Sequence, residues 1–210
     1  MTEASLQMLS NLRSTENLQW YVVPLIVLIV YLYNTELEKE NWGVVLLSVY
    51  FFAISGVVLE IVNALVLHFT QYSALWTTPG QSAFVIYAGW NIEIFFLAAI
   101  GGLMVLKGLP EDKHMKIMGI PNRIFLSVVN ATVAVFAEVL LNKVGMLVWE
   151  YKYWSWPHIY LIVVWWTIPY LILVWMHDHL SLKGKKIAAV MGLTVAACFH
   201  FVFSGILKWV

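Results

Sequence analysis

The sequence predicts an all-α, polytopic membrane helix bundle of about six transmembrane helices. Composition, run length and run texture carry that prediction. Of the 210 residues 61% are hydrophobic and only 11% charged, with a mean hydropathy of +0.80, which is rarely reached by water-soluble domains of this size. A hydrocarbon core of ~30 Å takes about 20 helical residues per crossing, and apolar runs of that order recur along the whole chain. They are continuous rather than alternating, which excludes a β-barrel. Equal numbers of basic and acidic residues, twelve each, leave no field for nucleic acid. One cysteine, Cys198, excludes a disulfide framework or a thiolate zinc site within the chain.

In chain order, residues 1–19 read as an N-terminal tail or interfacial helix. Leu6, Leu9 and Leu12 recur at three-residue spacing, which suits a short helix lying on the headgroups. Glu3, Arg13 and Glu16 interrupt any signal-peptide pattern, so the N-terminus is expected to be retained. Residues 20–210 form a single transmembrane domain. Its runs extend from Trp20 to Tyr33, Gly43 to Phe69, Ser82 to Leu106, Ile124 to Val148, Ile159 to Met176 and Ile187 to Leu207. Lys39, Lys107, Lys113, Lys116, Arg123, Lys183, Lys185 and Lys186 all fall in the first, third and fifth connections. Positive loops stay cytoplasmic, so both termini and the aromatic loops from Thr70 to Gln81 and Trp149 to His158 are expected on the non-cytoplasmic side.

Those two loops share a pattern. Glu60, Trp76 and Pro79 recur 78 residues later as Glu138, Trp154 and Pro157, the spacing expected of a tandem helix-hairpin repeat. The plainer reading is that Trp marks the interface and Pro the start of a helix.

Three carboxylates lie inside apolar runs. At ~1.5 Å per residue, Glu60 is about 13 Å, Glu93 about 16 Å and Glu138 about 15 Å from its nearest run end, close to the middle of the slab. A carboxylate there costs about 2.5–3.5 kcal/mol on insertion scales and marks function by default. All three are therefore expected to face inward and to meet at one level. Asn63 and Asn142 follow Glu60 and Glu138 at same-face spacing, three and four positions on. Trp90 shares the face of Glu93, whereas Asn91 points elsewhere. Asn130 lies two turns before Glu138, in a formal Asn-Ala-Thr sequon that membrane burial keeps from glycosylation. No Lys or Arg lies at that depth to neutralise the acids. Structurally, the same groups could serve as interhelical hydrogen-bond glue.

His68, His158, His177, His179 and His200 are scattered, and the pair around Asp178 is two apart, on diverging faces. They read as surface caps, and neither a metal nor a cofactor is expected. Trp90, Trp165 and Trp166 lie inside runs, with Pro169 just beyond the last two. Ring faces beside protonated carboxyls suit carbocation chemistry, because an acid starts it and the aromatic quadrupoles stabilise migrating charge.

The tract Leu59-Glu60-Ile61-Val62, continuing to Ala64-Leu65, resembles the tryptophan-glutamate-isoleucine-valine stretch of the fungal integral-membrane meroterpenoid (terpene) cyclases. Leu59 stands where that family has tryptophan. The resemblance implies a role for Glu60 in proton-initiated cyclisation of a prenylated substrate.

The function expected is thus an intramembrane enzyme acting on an isoprenoid or other lipid. Glu60 or Glu138 is the general acid and Glu93 the partner acid or base; Asn63, Trp76, Trp90, Asn91, Asn130, Asn142, Trp154, Trp165 and Trp166 line the substrate. A proton-coupled small-molecule carrier or a non-catalytic subunit of a larger membrane complex would use the same features.

Overall fold

The computed structural model describes residues 1–80 and 82–210. Gln81, at the end of the first aromatic loop, lies outside the described residues. Seven helices and two small hairpins make up the described chain: α1 (Glu3–Asn11), α2 (Val22–Glu38), α3 (Trp42–Thr70), β1 (Val85–Tyr87), β2 (Trp90–Asn91), α4 (Ile92–Lys107), β3 (Lys116–Ile117), β4 (Ile120–Pro121), α5 (Asn122–Lys143), α6 (Ile159–His179) and α7 (Leu182–Ile206).

Helix α1 begins where Thr2 accepts the Ser5 N–H at 3.3 Å, an N-cap of the usual kind. It is docked rather than loose: Met8 is 1% exposed, and the Thr2 N–H reaches the Tyr72 carbonyl at 3.0 Å. Four helices, α3, α5, α6 and α7, are long and apolar enough to cross a membrane. Helices α2 and α4, at 17 and 16 residues, span only about 24–26 Å at ~1.5 Å per residue.

The third run departs most from expectation. Ten of its residues are not helical. Ser82 to Asn91 form an approach and a hairpin in which Tyr87 pairs with Trp90, and their rings stack 5.9 Å apart and nearly parallel. Asn91 then caps α4 by accepting the Ile94 N–H at 2.9 Å. A buried, apolar hairpin is indistinguishable from a helix by hydropathy alone, which is why the all-helical reading missed it. The second hairpin, Lys116–Ile117 with Ile120–Pro121, turns at Gly119 with φ +84°. Helix α5 stops at Lys143 rather than Val148, because Gly145 takes φ +74° and Met146 N–H returns to the Leu141 carbonyl at 2.9 Å.

The bundle is organised round α3. It packs on α4, α6 and α7, and Gly102 lets α4 approach so closely that an added Cβ would sit 3.1 Å from the Ser48 backbone. Leu47, Phe51, Leu103 and Leu173 form the core of that packing. Within α3, Phe52–Val58 is π-helical, and the Leu59 N–H reaches back to Ile54. Helix α5 is different: its one extensive partner among the helices is α6.

One end gathers the N-terminal tail, both aromatic loops and the C-terminal residue. Arg13 donates to the Val210 carbonyl at 3.1 Å, and Thr77 and Val148 exchange backbone hydrogen bonds at 3.0 and 2.8 Å. The opposite end holds two ion-pair clusters. Glu36, 1% exposed, meets Lys107 at 2.8 Å and Lys39 at 3.5 Å, and Arg123 grips Asp178 with Nε and Nη2 at 2.8 and 3.2 Å. Neither Glu36 with Lys107 nor Arg123 with Asp178 was legible from spacing, since each pair joins two different helices.

Candidate functional site

Glu60 lies two residues beyond Val58, which ends the π-helical stretch, and is only 4% exposed. Both its oxygens accept the Trp76 indole N–H, at 3.1 Å each. Trp76 belongs to the loop after α3, so something must hold that loop. Asn63, one turn past Glu60 and 1% exposed, supplies the clamp: its amide donates to the Trp76 carbonyl at 2.8 Å, and its oxygen accepts the N–H groups of Leu75 and Trp76 at 2.8 and 3.4 Å. Gly89, in the tip of the first hairpin, closes the assembly. A Cβ there would lie 2.3 Å from the Asn63 amide nitrogen and 2.4 Å from the Trp76 ring, so this position admits hydrogen alone.

Glu138, on α5, is partly buried and faces the same space. It lies close enough to Glu60 for the two charges to interact. Trp149 and Trp166 turn their indole nitrogens towards it without closing a hydrogen bond. Between the carboxyls lies a cavity of about 310 Å³, walled by α3, α4, α5 and α6 and lined among others by Glu60, Glu138, Trp76, Trp90, Trp166 and Tyr170. Its remaining wall is apolar, with Asn130 and Ser55 the other polar side chains and no Lys, Arg or His. Helices α4 and α5 barely touch. The cavity residues Leu97, Met104 and Val133 are 55%, 56% and 63% exposed, so the cavity opens sideways between those two helices.

The acidic triad expected from the sequence is therefore a pair. Glu93 does not line the cavity; it sits in the first turn of α4, because the hairpin consumed the residues that would have carried it to mid-depth. Its oxygens accept from the Tyr21 hydroxyl, from Ser82 Oγ at 2.5 Å and from the Ala83 N–H at 3.2 Å. That set pins the start of α2 and the loop to α4. Asn91 is a helix cap rather than a substrate contact, and Asn63 clamps backbone. Asn142 donates to the Leu147 carbonyl at 2.9 Å, fastening the turn after α5. Asn130 reaches the cavity, with its amide bonded to Leu126 of its own helix at 2.8 Å.

Among the tryptophans, Trp76, Trp90 and Trp166 line the cavity. Trp154 stacks on Trp76 with centroids 5.9 Å apart, and Trp165, 39% exposed, sets its ring edge against Trp154 at 5.8 Å. These two buttress the site without lining it. The 78-residue correspondence is only half kept: Trp76 donates to Glu60, whereas the indoles facing Glu138 are Trp149 and Trp166. Tyr170 and Trp149 are site residues the sequence reading missed. Tyr170 lies four positions beyond Trp166 and so on its face, a signal that was present; Trp149 lies outside any helix and gave none. Among the described residues, no group of three or more His, Cys, Asp or Glu comes together as a metal site.

Comparison with known proteins places the chain in a lineage without adding a chemistry. A family model described as "Uncharacterized membrane protein family" matches residues 2–205. An "Uncharacterized protein" of Archaeoglobus fulgidus is 38% identical over 211 residues, covering 100% of this chain and 99% of its own length. No solved structure matches.

Proposed function

The chain belongs to that membrane protein family, and from this premise we propose that it is an intramembrane enzyme that transfers a proton to a lipid or isoprenoid substrate reaching the cavity from the bilayer. The single observation that carries the reading is a pair of carboxyls, Glu60 and Glu138, facing one apolar, tryptophan-lined cavity open towards lipid. We propose six crossings, with α2 and α4 spanning beside the four longer helices. The basic end then lies in the cytoplasm and both termini on the other side.

The two acids have different parts. Glu60, both oxygens engaged by Trp76, is the held carboxylate that stabilises positive charge. Glu138, with no direct hydrogen bond to occupy it among the described residues, is the donor. Its proton adds to a substrate double bond, whose electron pair forms the new C–H bond and leaves a carbocation. The faces of Trp76, Trp90 and Trp166 stabilise that cation. Loss of a proton from a neighbouring carbon to the Glu138 carboxylate restores the enzyme. The sum is an isomerisation or cyclisation that needs no co-reactant.

General acid catalysis contributes about 10²–10⁴-fold. Cells expressing wild type, Glu138→Gln or Glu93→Gln are extracted, and their lipids compared by chromatography and mass spectrometry. The expected result is a lipid of unchanged mass and altered retention in wild type and Glu93→Gln, at least 100-fold depleted in Glu138→Gln. Indistinguishable lipids from wild type and Glu138→Gln overturn the reading.

A further inference from the structure

The electrostatics and dimensions of the cavity go further than a general lipid. Resting on the reading above, we propose that the cavity takes the uncharged, oxygen-bearing head of a long-chain lipid and rejects phosphorylated and cationic ones. Charge excludes the anions: none of the lining residues is basic, so a diphosphate would be buried beside the Glu60 carboxylate with nothing to neutralise it. The route excludes the cations. The opening between α4 and α5 faces the bilayer, and a fixed charge crossing hydrocarbon to that depth is strongly disfavoured.

Size and unmet hydrogen-bonding capacity define what remains. At the ~30 Å³ that one water occupies in the liquid, about 310 Å³ holds roughly ten non-hydrogen atoms. A head or ring of that size fits, and a longer tail must lie out through the gap past Leu97, Met104 and Val133. The indole N–H of Trp90, a cavity residue, has no acceptor among the described residues, whereas that of Trp166 already faces Glu138. Buried donors are ordinarily paired, and a hydroxyl, ether or carbonyl oxygen on the head provides the acceptor.

The test is one of binding, independent of turnover. Protein in phosphatidylcholine nanodiscs is titrated with geranylgeraniol, geranylgeranyl diphosphate and dodecyltrimethylammonium, with tryptophan fluorescence and native mass spectrometry reading occupancy. Geranylgeraniol is expected to bind one site at least tenfold more tightly than either charged probe. Ala137→Phe, which fills the cavity and keeps both carboxyls, is expected to abolish that binding; Gly101→Leu, from the opposite wall, serves if Ala137→Phe does not fold. Equal or tighter binding of the diphosphate or the ammonium overturns the proposal, as does alcohol binding unchanged by a folded cavity-filling variant. Selective binding of the alcohol with no lipid difference between wild type and Glu138→Gln leaves the head-group selection standing and retires the enzyme.

Discussion

Gly89→Ala is the sharpest test of how the site is held. The added methyl would occupy space now within 2.4 Å of the Trp76 ring and 2.3 Å of the Asn63 amide, well inside contact distance. Neither neighbour can yield cheaply. Asn63 is held by three hydrogen bonds to the loop backbone, and Trp76 is wedged between Glu60 and the Trp154 ring. Overpacking of a tight core costs about 1–3 kcal/mol, and loss of a hydrogen bond to a carboxylate about 1.5–3 kcal/mol. The variant should therefore lose about 2.5–6 kcal/mol, which for a chain of this size lowers Tm by roughly 5–24 °C. Thermal unfolding in detergent, followed by circular dichroism and tryptophan emission, measures it. Gly205→Ala, where a Cβ meets nothing closer than 3.7 Å, is the control and should stay within about 0.5 kcal/mol of wild type. If Gly89→Ala is as stable as Gly205→Ala, with unchanged indole emission, the locked arrangement of Gly89, Asn63 and Trp76 is wrong.

Three other outcomes follow from the same geometry. Glu93→Ala removes the acceptor for Tyr21, Ser82 and Ala83; it should cost about 2–3 kcal/mol and speed hydrogen exchange at the start of α2 and in the loop before α4, while leaving the lipid product in place. Lys107→Met strips Glu36 of its closest cation; with Lys39 and Asn41 still in contact, the loss should be about 1–3 kcal/mol, below the 3–5 kcal/mol of a fully orphaned buried charge, and Glu36→Gln on top should recover part of it. Val133→Trp narrows the mouth between α4 and α5. It should slow occupancy by geranylgeraniol at least tenfold with less than about 0.5 kcal/mol change in stability; an unchanged association rate would place the access route elsewhere.

Much of the bundle could be read from the chain because its signal is long and redundant. An apolar run of twenty residues is hard to mistake, and the helices from Trp42, Asn122, Ile159 and Leu182 fall where the runs are. The site was legible in proportion to how far its residues lie from irregular backbone. Glu60 and Glu138, in helices that fill most of their apolar runs, were expected to face inward together, and both line one cavity. Glu93 was misplaced because Val85–Tyr87 and Trp90–Asn91 carry no charge and run straight into the helix they precede, so depth counted in helical rises began too early. The π-helical stretch Phe52–Val58 breaks the 3.6-residue period within α3, so face assignments carried across it do not hold. Trp149, Glu36 with Lys107, and Arg123 with Asp178 depend on contacts across the fold that no local pattern encodes.

The light attachment of α5 has a mechanical corollary. The helix resembles a shutter hung on α6, bolted at one end by the loop bonds of Val148 with Thr77 and cross-braced to α6 at the other, where Arg123 holds Asp178. Under the proposed function, a long, oily molecule would slip in and out by flexing this panel, while the frame carrying Glu60 and its indole keeps its alignment. Glu138 rides on that panel, so the motion that admits a substrate would also carry the proton donor, against a carboxyl held still by the frame.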